Sequence, residues 1–265
     1  RNDILRAITA SLEPLLAVTY AYMGQQFQAY TAASEAALAG QGGEPALSAA
    51  RIASALLRAA LGMVRRFVLW VRLDQLLTPQ HDFVVVCLQV LPFKEASGGG
   101  VSGTGAAEGL RDEAASTLGA LCAGRKLNRP TLLRLIESLP AAIAATPPPQ
   151  HAVDCLRFWR TIGSLVADVV FQNAQAISED EELLGSPQWA AYLDLGLGLL
   201  THPSLRLASD LHILFLSTLR VRRSRHGRAG EILGSRVSGL VRAYWPKLVK
   251  PPPGMLEAGE LTDPI

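Results

Sequence analysis

The sequence predicts an all-α fold, and three observations carry that expectation. Apolar residues fill 49% of the 265 positions and are mostly Leu and Ala, with few aromatics, which suits helices better than sheets. They recur at helical spacing between breaks rich in Pro and Gly. No stretch alternates convincingly in the manner of a strand.

Read in order, residues 2–38 form one long or kinked helix with Pro14 near a turn boundary, ending at "AGQGGEP". Helices follow over 46–72 and 79–92. The segment 94–109, "KEASGGGVSGTGAAEG", reads as a flexible glycine-rich loop. Further helices are expected over 110–123, 130–145 and 150–177, the last two parted by "TPPPQ", since proline cannot extend a helix interior. "SEDEELLGSP" is an acidic surface connection, followed by helices over 187–200, 203–220 and 229–249. Residues 251–265 read as an irregular tail, so 1–250 is the folded segment.

Two of these helices resemble each other. In "LRDEAASTLGAL" and "LRLASDLHILFL", Leu110 aligns with Leu205, Arg111 with Arg206 and Ala114 with Ser209. Leu118 then meets Ile213 and Leu121 meets Leu216, an offset of 95 residues. Two units of roughly 47 residues fall in the range of HEAT-type repeats, so the expected architecture is a right-handed helical-repeat solenoid. In that register Leu118, Leu121, Ile213 and Leu216 are equivalent core positions. A solenoid segment also leaves apolar faces without neighbours, and the largest exposed apolar patches are expected here over residues 1–30 and 229–249.

The formal net charge of +2 gives no global drive toward nucleic acid or membrane, so any such drive must be local. The longest apolar stretches, "ALLRAALGMVRRFVLWVRL" and "FVVVCLQVLPF", are broken by charge or stop short of the roughly 20 residues of a membrane span. The chain opens at Arg1 without a signal-like pattern and reads as a segment of a longer protein. Three scattered cysteines, Cys87, Cys122 and Cys155, suit reduced intracellular thiols in helical cores better than a disulfide framework or a nucleophile.

Several motifs that would mark chemistry fail in detail. Gly103, Gly105 and Gly109 imitate a phosphate loop, but stand about ten residues after "FVVVCLQV", whereas a dinucleotide site needs the turn directly after the strand. His81, His151, His202, His212 and His226 lack acidic or cysteine partners at ligand spacing. No G-x-S-x-G elbow is present. Glu179 to Glu182 read as a solvated connection, although such a run can also repel RNA or attract a basic partner. No catalytic, cofactor or metal site is expected, and the chain does not read as an enzyme.

The stretch "RVRRSRHGR", residues 220–228, holds five arginines and a histidine. Arg220, Arg222 and Arg223 suit a helix C-terminus before a turn at Gly227. Arg225 and Arg228 carry the charge on through that turn. Clustered like charges repel unless an anion or an acidic neighbour offsets them. The cluster is therefore either a solvated turn or a grip on something anionic.

The chain resembles the exportin-five family, called HASTY in plants, within the importin-beta-like karyopherins. The likeness rests on collinear stretches: "RNDILRAITASLEPLL", "FVLWVRLDQL", "AASTLGALCAGRKLNRP", "LRFWRTIGSLVADVV", "YLDLGLGLLTHPSLRLASDLHILFLSTLRV" and "YWPKLVK". It departs from the family in the glycine-rich insertion and the Ala-rich helices. The resemblance implies an armadillo-type solenoid of HEAT repeats that shuttles between nucleus and cytoplasm through contacts with nuclear pore proteins. With RanGTP, such a receptor exports structured RNA, notably double-stranded precursor microRNA, or protein cargo, and releases it after GTP hydrolysis. The main Ran-contacting repeats are expected to lie upstream. With that resemblance, Arg222, Arg223, Arg225 and Arg228 become candidates for contact with RNA phosphates. The alternative expectation is a helical scaffold for protein partners that carries no RNA, and a membrane partner is expected in neither case.

Overall fold

The computed structural model describes residues 2–40, 43–92, 106–144, 156–202, 205–220 and 227–249. Among these the chain forms twelve helices and no strand, with one isolated bridge between Leu77 and Asp82. They are α1 (Asn2–Leu38), α2 (Gly43–Phe67), α3 (Leu73–Leu76), α4 (Phe83–Val90), α5 (Ala106–Cys122) and α6 (Arg129–Ala144). Then come α7 (Leu156–Gln172), α8 (Ala174–Glu179), α9 (Glu181–Leu184), α10 (Pro187–Leu200), α11 (Leu205–Arg220) and α12 (Gly227–Val249). The chain divides into two compact units, residues 1–121 and 122–265.

In the first unit α1 packs along α2. Leu12, Leu16, Thr19, Met23, Tyr30 and Ser34 of α1 recur at steps of three, four or seven and are buried as one stripe. They meet a stripe of small and branched residues on α2: Ala50, Ala53, Leu57, Ala60, Leu61 and Val64. The helix tolerates Pro14 in its interior. "FVVVCLQV" is helical, as expected, although α4 starts at Phe83 and not at residue 79. Residues 77–82 instead form a tight turn around buried His81, whose Nε2 lies 2.7 Å from the Gln75 carbonyl and Nδ1 3.1 Å from Thr78 Oγ1. Asp82 then caps α4 by accepting from Val84 N at 3.1 Å. The glycine-rich loop ends earlier than predicted, since Ala106–Gly109 are already helical; residues 93–105 lie outside the described part. On α5, Thr117 Oγ1 donates to Leu61 O at 3.2 Å, tying that helix to α2.

One helix in this unit, α2, is long and apolar enough to cross a membrane by length and composition alone, which no segment was expected to be. Part of its apolar surface is buried inside the protein, at Leu57, Leu61 and Val64, while Ile52, Leu56 and Met63 are exposed.

In the second unit α7 packs on α11, α10 on α6, α11 and α12, and α12 also on α9. Gly163 marks the close approach of α7 to α11. A Cβ there would come 2.6 Å from Leu207 Cδ1, and Leu207 is fully buried. The predicted start of α10 at residue 187 is met, because Ser186 Oγ accepts from Trp189 N at 3.1 Å and Pro187 needs no partner in the first turn. Buried Tyr192 donates its hydroxyl to Val166 O at 3.0 Å, joining α10 to α7. The predicted helix over 150–177 is shorter. Its described part runs from Leu156 to Gln172 and breaks at Asn173, whose side chain is engaged elsewhere.

The expected equivalence between positions 118, 121, 213 and 216 does not hold. Leu118 and Leu121 are 0% exposed, but Ile213 is 42% and Leu216 52% exposed. The buried stripe of α11 is Leu207, Leu211, Leu214, Phe215 and Thr218. It matches that of α5 when Leu110 is set against Leu207, Ala114 against Leu211 and Leu118 against Phe215, an offset of 97. Two residues turn a helix by ~200°, so the 95-residue alignment placed the wrong side of α11 in the core.

Candidate nucleic-acid interface

Of the four predicted phosphate candidates, Arg228 alone has a described position; Arg222, Arg223 and Arg225 lie outside the described residues. Arg228 is not in the turn. Gly227 adopts the left-handed conformation (φ 56°) and the chain re-enters helix at once, so Arg228 is exposed on the first turn of α12. Its stem runs beside Gly185, where a Cβ would be 3.6 Å from Arg228 Cδ.

Gly185 closes the acidic connection. The carboxylate of Asp180 caps α9 by accepting from Leu183 N at 3.0 Å, and it also accepts from Arg129 Nε at 2.9 Å. Burial pushes the Asp180 carboxyl up, but the backbone donor and the Arg129 guanidinium outweigh it and hold the group below its usual range. Glu179, Asp180 and Glu182 border an open pocket of about 520 Å³ with Arg129, Leu132 and Leu183. The acidic run, read from sequence as a simple connection, thus includes a capped helical turn packed against α12. Arg228 is the described member of the arginine stretch that lies beside this connection, at Gly185.

A second basic surface was missed. Arg51, Arg58 and Arg65 recur every seven residues along α2, and Arg66 flanks the last. The spacing was visible in "ARIASALLRAALGMVRRF", a stretch weighed only for membrane length. Arg65 Nη2 is 3.2 Å from Glu113 Oε1, and Arg51 Nη1 is 3.6 Å from Glu44 Oε1. Among the described residues neither Arg58 nor Arg66 has an ion-pair partner. Arg58, Arg65 and Arg66 line an open cleft of about 480 Å³ together with Ala55, Ala59, Gly62, Met63 and the Glu113 carboxylate, so the cleft carries charge of both signs.

Apolar residues also face solvent in rows. On α12, Val237, Val241 and Trp245 are exposed beside the buried flank of Leu233, Leu240 and Ala243, but exposed apolar residues are not concentrated in 1–30 and 229–249 as expected, since Leu69, the most exposed of the large apolar residues, and Trp70 lie outside both ranges. On α1, Leu15, Val18 and Tyr22 are exposed, within the expected 1–30. Ile52, Leu56 and Met63 of α2 and Ile213 and Leu216 of α11 add rows that were not anticipated.

The remaining candidates have structural surroundings. Cys87 and Cys122 are buried, and burial, with a smaller push from Asp168, raises the Cys122 thiol to about 12. His212 lies against Tyr244 with ring centroids 4.6 Å apart. His151, His226 and Cys155 fall outside the described residues. Among the described residues no group of three or more His, Cys, Asp or Glu side chains is placed to hold a metal ion. The sequence matches no family model and no curated protein.

Proposed function

We propose that the chain is a segment of a helical-repeat transport receptor of the exportin-five kind. With RanGTP it would carry structured RNA, of the precursor-microRNA type, from nucleus to cytoplasm. The observation that carries the solenoid part of this reading is α11, which is apolar on two opposite faces. Leu207, Leu211 and Phe215 are buried, while Ile213 and Leu216 face outward. A helix built for a layered stack needs apolar residues on both sides, whereas a helix closing a lone domain needs one. The RNA part rests on the arginine cluster, in which Arg222, Arg223, Arg225 and Arg228 would bond phosphate oxygens through planar guanidinium forks. RanGTP and nuclear pore proteins would be engaged mainly through repeats outside residues 1–265.

The outward apolar rows on α11 and α12 favour a second reading, a scaffold that docks a protein partner without RNA. Titration of a labelled RNA duplex at several salt concentrations separates the two. Replacing Arg222, Arg223, Arg225 and Arg228 by Ala should flatten the plot of log affinity against log salt by roughly three to four units, about 0.9 per lost phosphate contact. An unchanged slope, or binding of an apolar peptide with no RNA binding, would leave the scaffold reading in its place.

A further inference from the structure

We propose that residues 255–261, the "MLEAGEL" stretch after α12, fold back over an apolar groove between α11 and α12 and close it to other partners. The groove follows from the order of contacts in the second unit. Gly185 lies against Arg228, Asp194 pairs with Arg236 and Leu197 meets the Gly239 position. These pairs keep a constant offset of 42 or 43 residues, so α12 runs beside α10 in the same direction. α11 runs opposite to α10, because only the four residues 201–204 join them and Leu214 packs on Gly196. α11 and α12 are therefore antiparallel, and His212 meets Tyr244 between them with ring centroids 4.6 Å apart. One and two turns from that contact, Leu216 and Leu219 of α11 come opposite Val241 and Val237 of α12. All four are exposed, and Trp245 beside the contact is 65% exposed. Two apolar rows side by side and open to solvent mark a surface that something covers.

The chain carries an occupant that matches in reach, composition and charge. Residues 250–265 lie outside the described residues, and α12 ends at Val249, eight positions after Val241. Eight helical residues rise ~12 Å, whereas the five residues from Lys250 to Gly254 span up to ~17 Å. The segment can therefore return to Val241 and run on past Val237. In this arrangement Pro251 to Pro253 stop the helix and Gly254 reverses the chain. Met255, Leu256 and Leu261 supply the apolar surface, and Glu257, Glu260 and Asp263 supply charge, with no Lys or Arg after Lys250. The groove has the opposite sign. Arg220 follows Leu219 and Arg242 follows Val241, both exposed, and Glu231 is the one exposed acid on the two helices among the described residues.

Tethering makes modest affinity sufficient. A short linker sets an effective concentration of about 1 mM, so an intrinsic Kd of about 0.1 mM leaves about ten covered grooves for each open one. A protein partner that uses these apolar rows has to displace the segment first. The inference uses no phosphate contact and stands apart from the RNA-cargo reading.

Hydroxyl-radical footprinting of the 265-residue chain, at low micromolar concentration, reads the cover directly. L256S/L261S should raise labelling of Leu216, Val241 and Trp245 about tenfold, the occupancy ratio set by the tether, and leave exposed Leu69 in the first unit unchanged. E257Q/E260Q/D263N should raise it less, and added salt should raise labelling of wild type but not of L256S/L261S. A synthetic peptide of residues 251–265 at millimolar concentration should restore protection to L256S/L261S. Equal labelling of wild type and L256S/L261S overturns the inference. So does protection that grows with protein concentration, which assigns the groove to a second copy, or protection that arrives only with added duplex RNA. A rise in L256S/L261S that the peptide fails to reverse overturns it as well. The RNA titration above involves none of these substitutions, so either idea can fail while the other stands.

Discussion

Asn173→Ala is expected to destabilise the second unit by about 2–4 kcal/mol, because a single buried amide there serves two segments. Its Oδ1 accepts from Leu127 N at 2.8 Å and its Nδ2 donates to Val169 O at 2.8 Å. Asn173 is 4% exposed and Leu127 8%, so water cannot replace either partner. Truncation leaves the Leu127 N–H buried and unsatisfied, costing about 1–3 kcal/mol, and removes a second bond worth about 0.5–1.5 kcal/mol. No capping loss is added, since the Asn173 side chain makes no cap bond to α8. Urea unfolding followed by far-ultraviolet circular dichroism should show a lower midpoint with little change in slope. Hydrogen exchange should show the Leu127 amide opening faster than those of α4 in the first unit. An unchanged midpoint together with unchanged exchange at Leu127 would refute the clamp.

Other expectations follow from burial and charge. Leu211→Ala should cost about 2–5 kcal/mol, whereas Leu216→Ala should cost well under about 1 kcal/mol, because only Leu211 is enclosed; equal losses in melting temperature would contradict the α11 register. Burial, and next the charge of Asp210, raise the Asp168 carboxyl, so the folded state holds its proton more tightly than the unfolded chain. Stability from this group therefore falls as pH rises from the ordinary carboxylate value through the raised one. Asp168→Asn should raise the melting temperature at pH 7 and weaken its dependence on pH above 4, and the opposite shift would count against the assignment. The Cys122 thiol, raised to about 12, should resist maleimide at pH 8 until urea unfolds the second unit.

Much of the helical layout was legible because its punctuation is local. Ser186-Pro187 fixes the start of α10 by chemistry confined to four residues, and Gly227 marks the turn before α12 through its own φ. The end of α7 was not legible: Asn173 breaks the helix for a bond to Leu127, 46 positions away in sequence. The inner face of α11 was hidden for a related reason. Ile213 and Leu216 are as apolar as Leu211 and Leu214, and only the packing of α7 and α10 decides which pair is enclosed. At the candidate interface, the dense cluster at 220–228 drew attention by composition. The four arginines of α2 are spread over a helix, and Arg51, Arg58 and Arg65 come into one row only when residues seven apart are set side by side.

Photo-crosslinking of duplex RNA to the chain, with the attached peptides located by mass spectrometry, tests the central claim most directly. Cross-links should concentrate in residues 220–228 and fade as salt rises from 50 to 200 mM. Cross-links confined to the apolar rows around residues 213–219 and 237–245, with no loss at higher salt, would contradict phosphate recognition by the arginine cluster.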